Sequence, residues 1–194
     1  MSERSATRHT LTINRAPVLT LWAAVVAERM GFDRDEALTL GRAVAGLNAQ
    51  TKGRRLGLLK AADAGPRRAH AKKAARASDQ VELLGRHVPV LHTPHGLRAA
   101  REGHPDSPDT VRRYLESRFG DDLESAREAM KQLAEAFTPA ALAEQAYAMY
   151  EAFRPSVPPG KQGWGTRGVL ELERIRGLAP EAGRAGRRKA TARK

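Results

Sequence analysis

Residues 81–91, VELLGRHVPVL, decide the fold class of this chain because they form its clearest β pattern. Two short apolar runs flank Gly85-Arg86, and a two-residue loop that begins with glycine is typical of a type II′ hairpin. Pro89 has no amide hydrogen, which restricts the second strand to a sheet edge or to its outward-facing side. Residues 93–96, TPHG, then predict a turn. We therefore expect one small β-hairpin in a mainly α-helical protein.

The segment before this hairpin is strongly basic. Residues 51–76, TKGRRLGLLKAADAGPRRAHAKKAAR, carry one acid, Asp63, against nine cations. Gly53, Gly57 and Gly65-Pro66 predict breaks that leave two pieces, at about 56–62 and 66–77. The second piece has no large apolar side chain to bury, so it is an exposed helix, a linker or a segment that orders on a partner. The cations, with Arg86 of the hairpin, are the predicted nucleic-acid-binding residues: Lys52, Arg54, Arg55, Lys60, Arg67, Arg68, Lys72, Lys73 and Arg76.

Positive charge is concentrated in two places. The chain of 194 residues has a net charge of +12, while residues 51–76 carry +8 and residues 181–194 carry +5. The rest of the chain therefore sums to −1, as in an ordinary globular protein. Local basicity of this kind indicates a polyanionic partner.

Two amphipathic helices precede the basic segment. Residues 9–13 alternate polar and apolar side chains and predict a short strand. Asn14 and Pro17 suit the start of a first helix, which Gly31 ends. Asp33 and Glu36 have the spacing of a capping box at the start of a second helix, whose apolar face runs to Leu47. Gly41 and Gly46 inside that helix predict close contact with a neighbouring helix.

The last third of the sequence is helical. Ser107-Pro108 begins a helix that Gly120 ends, Asp121 or Asp122 begins the next, and Thr138-Pro139 begins a third. Residues 154–166 read as a loop rich in proline and glycine that carries Trp164. A short helix is expected at about 170–178, and residues 180–194 form a low-complexity basic tail.

Two motifs resemble functional sites, and we interpret neither as one. Residues 163–168, GWGTRG, match the spacing G-x-G-x-x-G, but no strand precedes them and no βαβ unit follows, so we interpret the match as chance. His87, His92 and His95 are close in sequence, but strand alternation separates His87 from His92, which favours structural or exposed histidines over a zinc site. We expect no metal, no cofactor and no catalytic residues, and hence no enzyme.

The composition restricts the class of protein further. There is no cysteine, so disulfides and thiolate chemistry are excluded. The longest apolar run, residues 18–27, is far shorter than the roughly 20 residues that span a bilayer. The first residues lack the pattern of a secretory signal. A cytoplasmic protein that does not bind membranes is expected.

The order of these elements resembles a winged-helix arrangement. The first two helices would support a third, basic helix, and the hairpin would be the wing with Arg86 at its tip. We predict a winged-helix-like half at 1–98, a helical half at 99–179 and a disordered tail at 180–194. The fold class is α+β, and the helices of the second half either pack on the first or form a homodimer.

The predicted function is nucleic-acid binding, with duplex DNA favoured over RNA and transcriptional regulation as its setting. Lysines and arginines would neutralise phosphates and release counterions, so that binding depends strongly on salt. Arginines such as Arg54, Arg55 or Arg86 would supply any reading of base edges. The alternatives are an RNA- or ribosome-associated factor, and a helical enzyme or protein-interaction module with incidental basic tails. Contact with an acidic protein or a membrane surface is a less favoured alternative.

Overall fold

The computed structural model describes residues 9–55, 79–160 and 165–179, and only the backbone of residues 52–55. Helices and two antiparallel sheets are mixed in it, which confirms the α+β class. The described helices are α1 Arg15–Arg29, α2 Arg34–Arg55, α3 Pro108–Phe119, α4 Leu123–Glu135, α5 Pro139–Phe153 and α6 Leu172–Arg176. The strands are β1 Thr10–Ile13, β2 Asp79–Leu83, β3 Arg86–Thr93, β4 Gly96–Arg101, β5 His104–Pro105 and β6 Gly168–Glu171.

Helix α1 lies at the centre of the core. Every residue from Pro17 to Ala27 is buried, which fits the continuous apolar run in the sequence. The indole nitrogen of Trp22 donates to the Ala146 carbonyl over 2.8 Å, and the Trp22 ring meets Phe153 edge-on at 5.4 Å. Residues of α1 to α6 share one buried cluster, so the later helices pack on the first half. No described helix is long and apolar enough to cross a membrane.

The αα-hairpin of α1 and α2 depends on one glycine. Gly31 ends the first helix with a φ of 104°, as expected. A Cβ atom on Gly41 would stand 2.4 Å from the Thr20 carbonyl oxygen and 2.8 Å from the Ala24 nitrogen. The prediction of close helix contact is therefore confirmed at Gly41. It is wrong at Gly46, where a Cβ atom would meet nothing within 4 Å.

The predicted capping box forms, and one of its residues also binds the sheet. The Glu36 amide donates to Asp33 Oδ1 over 2.8 Å, and the Asp33 amide donates to Glu36 Oε2 over 3.1 Å. Glu36 Oε1 accepts the Leu97 amide over 2.8 Å. Thr39 Oγ1 accepts the Ala99 amide over 3.1 Å. The first turns of α2 thus bond to backbone amides of β4 that face away from β3.

Helix α2 is longer than the sequence indicated. Gly53 does not break it, and the helix continues to Arg55. Lys52, Arg54 and Arg55 consequently belong to α2 rather than to a separate basic element. The predicted pieces at 56–62 and 66–77, Trp164 and the tail at 180–194 lie outside the described residues.

The expected hairpin is part of a four-stranded antiparallel sheet in the order β2-β3-β4-β5. Its turn is Leu84-Gly85 and not Gly85-Arg86, because Leu83 pairs with Arg86. Both turn residues have positive φ, 51° and 66°, which makes the turn type I′ and corrects the prediction of type II′. Leu84 adopts this left-handed conformation, and its side chain is buried in the core.

Strand β3 is internal and not an edge strand. Pro89 pairs with Gln80 of β2, while pairing with β4 begins at the next residue, Val90. The missing amide of Pro89 therefore falls where β3 has one neighbour. Residues 94 and 95 form the predicted turn, after which β4 and β5 follow unpredicted.

A two-stranded sheet joins the two ends of the described chain. The strand predicted at residues 9–13 is confirmed as β1, and it pairs with β6 from Thr10↔Glu171 to Ile13↔Gly168. The expectation of helix from residue 170 is thus partly wrong, because helix begins only at Leu172. The His9 ring nitrogen lies 2.7 Å from Asp122 Oδ1 and ties this sheet to the start of α4.

The caps of the later helices agree with the sequence. Ser107 Oγ accepts the Thr110 amide, and Thr138 Oγ1 accepts the Ala141 amide. Gly120 ends α3 with a φ of 57°. A short 3-10 turn, Gly120–Asp122, leads into α4.

Candidate nucleic-acid interface

The last turns of α2 extend beyond the helix on which it packs. Gly41 faces the stretch between Thr20 and Ala24, and the two helices are antiparallel, so Arg15 at the start of α1 stands opposite about residue 48. α2 continues for about seven more residues, or roughly 10 Å at 1.5 Å per residue. The backbone of Lys52, Arg54 and Arg55 therefore lies in a projecting helical end.

A polar cluster of Asn48, Arg86 and Tyr147 fixes the base of this projection. Asn48 Oδ1 accepts one hydrogen bond from Arg86 Nη2 and one from Tyr147 Oη, each over 3.2 Å. The Arg86 guanidinium also lies over the Tyr147 ring, 6.0 Å from its centroid. Three elements, α2, β3 and α5, are thereby held together at one point.

Two tyrosines continue the cluster toward α1. The rings of Tyr147 and Tyr150 are 6.1 Å apart, and Tyr150 Oη donates to the Arg15 carbonyl over 3.2 Å. Burial raises the pKa of Tyr150, with smaller opposing effects from the charges of Arg15 and Arg154. The phenol is thus held as a neutral hydrogen-bond donor.

Two further arginines at this end of the molecule have polar partners. Arg15 Nε donates to the Pro155 carbonyl over 3.2 Å, and Arg154 pairs with Glu151 over 2.9 Å. The nearby Glu82 is on the opposite face of the hairpin from Arg86, since strand residues alternate. We call this region the α2-end surface: Arg15, Asn48, Lys52, Arg54, Arg55, Arg86, Tyr147 and Arg154.

The described part of α2 reaches Arg55, and three of its last four residues are basic: Lys52, Arg54 and Arg55. Positive charges of this kind attract anions.

The structure brings together some of the predicted site residues. Arg86 lies in the α2-end surface, but its side chain is engaged by Asn48 and Tyr147 and turned toward the body instead of standing free at a wing tip. Lys52, Arg54 and Arg55 lie in the projecting end of α2. The other six predicted residues are outside the described residues: Lys60, Arg67, Arg68, Lys72, Lys73 and Arg76.

Sequence reasoning missed Arg15, Asn48, Tyr147 and Arg154. Asn48 could have been recognised from its position. It follows the buried Val44 by one helical turn, which places its amide on the inward-facing side of α2. The other three gave none, because only the packing of α1 against α5 brings them to α2.

The described elements are electrically neutral as a whole. Residues 9–55, 79–160 and 165–179 contain nineteen Lys and Arg and nineteen Asp and Glu. The net charge of +12 is therefore carried by the remaining residues, above all 56–78 and 180–194 with +5 each. The positive segment 56–78 begins directly at the projecting end of α2.

His92 and Gly168, from the histidine group and the glycine-rich match in the sequence, lie in β-strands. His92 Nε2 lies 3.1 Å from Asp79 Oδ2 at the open end of the hairpin. Within the described ranges no three His, Asp or Glu side chains are grouped as metal ligands. Gly168 starts β6 and packs so tightly that a Cβ atom would be 2.7 Å from the Ser156 carbonyl oxygen. It begins a strand and not the helix that a dinucleotide fingerprint needs.

Comparisons of the chain with protein-family models, curated proteins and solved structures give no match.

Proposed function

We propose that this protein binds nucleic acid, with duplex DNA as its first partner, through the α2-end surface and the basic residues that follow it. The observation that supports this most is the separation of charge. The net charge of the described elements is zero. Residues 56–78, which connect the end of α2 to the hairpin in the sequence, carry a net charge of +5.

The proposed mechanism is electrostatic. Each phosphate neutralised by Lys or Arg releases condensed counterions, and this release drives binding. In the winged-helix-like arrangement that we propose, α1 and α2 would support the basic segment, and the β2–β3 hairpin would serve as the wing. Phosphate contacts would position the protein, and Arg54 or Arg55 would be placed for base edges. Transcriptional regulation is the biological setting we propose.

The decisive experiment is duplex-DNA binding measured between 50 and 200 mM salt. We expect affinity to fall by about 10³-fold over this range if six or more phosphates are contacted. Replacing Arg67, Arg68, Lys72 and Lys73 by alanine should reduce the slope of log K against log salt by up to about 0.9 for each phosphate that is no longer neutralised.

The control removes the same charge from elsewhere. Alanine at Arg113, Lys131, Arg167 and Arg174 removes four cations from the described elements. The slope should then stay close to that of the wild type. A flat plot for the wild type, or equal decreases of slope in both variants, contradicts the proposal.

Competition separates duplex DNA from RNA. A duplex and a structured RNA of equal length are titrated against a labelled duplex at fixed salt. Stronger competition by the RNA would replace DNA with RNA as the partner. Co-purifying nucleic acid provides a second test. If the purified protein absorbs strongly at 260 nm, treatment with DNase or with RNase shows which polymer is bound.

A further inference from the structure

A second group of cations lies between α2 and α3, outside the α2-end surface. The Arg42 guanidinium carbon is 4.2 Å from the centroid of the Tyr114 ring, and that of Arg118 is 5.7 Å from the same centroid. The two carbons are thus at most about 10 Å apart. Arg42 and Tyr114 are half-buried and Arg118 is exposed, so the group is open to solvent on one side.

Stacking on an aromatic ring prepares a guanidinium for an anion. The cation uses its flat face against the ring, while its N–H groups point outward in the guanidinium plane. Among the described residues neither guanidinium makes a hydrogen bond, and no carboxylate lies within 4 Å of either one. The donors of both guanidiniums beside this ring are therefore without a partner among the described residues.

The neighbouring acids do not neutralise this pair. Asp35 lies two helical turns before Arg42, and its carboxylate is engaged by Arg112 over 3.0 Å and by Arg98 over 3.8 Å. Glu116 falls on the side of α3 away from Tyr114, because two residues turn a helix by more than half a circle. Neither Asp35 nor Glu116 therefore pairs with Arg42 or Arg118.

We propose that Arg42, Tyr114 and Arg118 form a phosphate-binding site. Guanidinium forks suit phosphate oxygens, and the span of the pair fits one phosphate or two linked ones. The phosphate could belong to a small phosphorylated molecule or to a nucleic-acid backbone. This site does not depend on the proposed function, because its residues lie outside the α2-end surface.

Inorganic pyrophosphate is the probe, titrated into the full chain while the arginine side-chain Nε–H signals are followed by NMR. Lysine at Arg42 or at Arg118 keeps the charge but removes the fork and the stacked plane. Lysine at Arg113, an exposed neighbour on α3 that does not contact the ring, is the matched control. Thermal unfolding verifies the fold of each variant.

We expect saturable binding by the wild type and by R113K, and at least fivefold weaker binding by R42K and by R118K. Y114L should weaken binding as well, and if it fails to fold, the two lysine variants decide. Equal binding by R42K, R118K and R113K would show an adventitious ion only and overturn the site. No saturation in the wild type would also overturn it.

A second arm identifies the source of the phosphate. Duplex DNA and a nucleoside triphosphate are titrated into the same variants. A decrease of DNA affinity in R42K and R118K, absent in R113K, assigns the site to a nucleic-acid backbone. A decrease for the triphosphate alone assigns it to a small phosphorylated molecule.

Discussion

Gly41 shows how a single residue sets the distance between two helices. Its absent side chain lets the backbone of α1 approach, since any Cβ atom would overlap Thr20 and Ala24 backbone atoms. Alanine at residue 41 gains about 1 kcal/mol of helix propensity but overpacks the contact, which costs about 1–3 kcal/mol or more. We expect a net decrease of stability in urea unfolding.

Gly46 provides the comparison in the same helix. A Cβ atom there meets nothing within 4 Å, so alanine should stabilise the protein by about 0.5–1 kcal/mol. Opposite signs for Gly41→Ala and Gly46→Ala are the expected result. The same sign for both would contradict the geometry of the hairpin.

Arg86 is expected to act as a clamp. Its bond to Asn48 should give a coupling of about 1 kcal/mol in a double-mutant cycle of Arg86→Ala and Asn48→Ala. The exposed Gln50, two residues further along α2, is the control: Gln50→Ala should be additive with Arg86→Ala. Additivity at Asn48 as well would show that the bond contributes nothing.

The same variant distinguishes a clamp from a phosphate contact. If Arg86 touched a phosphate, Arg86→Ala would lower the salt slope of duplex binding by about 0.9. A clamp would change affinity and leave the slope unaltered, and Asn48→Ala would behave in the same way.

The sequence predicts many individual residues well because their effects are local. Caps at Ser107 and Thr138, the Asp33–Glu36 box and the turn at Gly31 all depend on residues within a few positions. The prediction at Gly46 is wrong because a glycine that permits contact and one that merely faces solvent look the same in sequence. Tyr147 and Arg15 could not be found because their neighbours are far away in the chain.

At the scale of elements, Glu36 connects helix and sheet. One carboxylate oxygen caps α2 and the other accepts the Leu97 amide of β4. Glu36→Ala should therefore remove both a cap that contributes about 1 kcal/mol and a partner whose removal costs about 1–3 kcal/mol. Asp33→Ala should remove only the cap.

Amide hydrogen exchange separates these effects. The Leu97 amide should exchange faster in Glu36→Ala and keep its protection in Asp33→Ala, while urea unfolding reports both changes of stability. Unchanged exchange at Leu97 in Glu36→Ala would mean that the carboxylate does not hold this edge of β4.

Elements are predicted less completely than residues. The hairpin is recognisable in the sequence, but its turn is displaced by one residue, because Leu84 is an unusual residue at positive φ and gives no signal of a type I′ turn. The length of α2 is underestimated because Gly53 reads as a breaker. β4 is missed because GLRAAR alternates weakly.

At the scale of the whole molecule, the β1–β6 sheet closes the described chain. Leu11 and Ile13 are 7% and 4% exposed, while Thr10 and Thr12 face outward. Alanine at both Leu11 and Ile13 should destabilise the protein by about 2–5 kcal/mol for each residue. Alanine at Thr10 and Thr12 should cost much less. Thermal unfolding checks this, and equal effects would contradict the register.

This closure is beyond prediction from sequence. β1 is recognisable by its alternation, but its partner is four residues long and runs straight into α6. Nothing local relates Thr10 to its partner Glu171 near the other end of the described chain. Pairing between such distant segments depends on the core that both strands share, and the sequence of either segment alone does not reveal it.

The same pairing bears on how the protein is made. A ribosome adds about 5–20 residues per second, so Thr10 emerges roughly 10–30 s before Glu171. During that interval α1 and α2 can already form their local hairpin, whereas Leu11 and Ile13 lack their partner strand β6 and remain exposed. The β1–β6 sheet can therefore form only after residues 168–171 have been made, and nascent chains halted before residue 168 should stay open to proteases at the N-terminal strand.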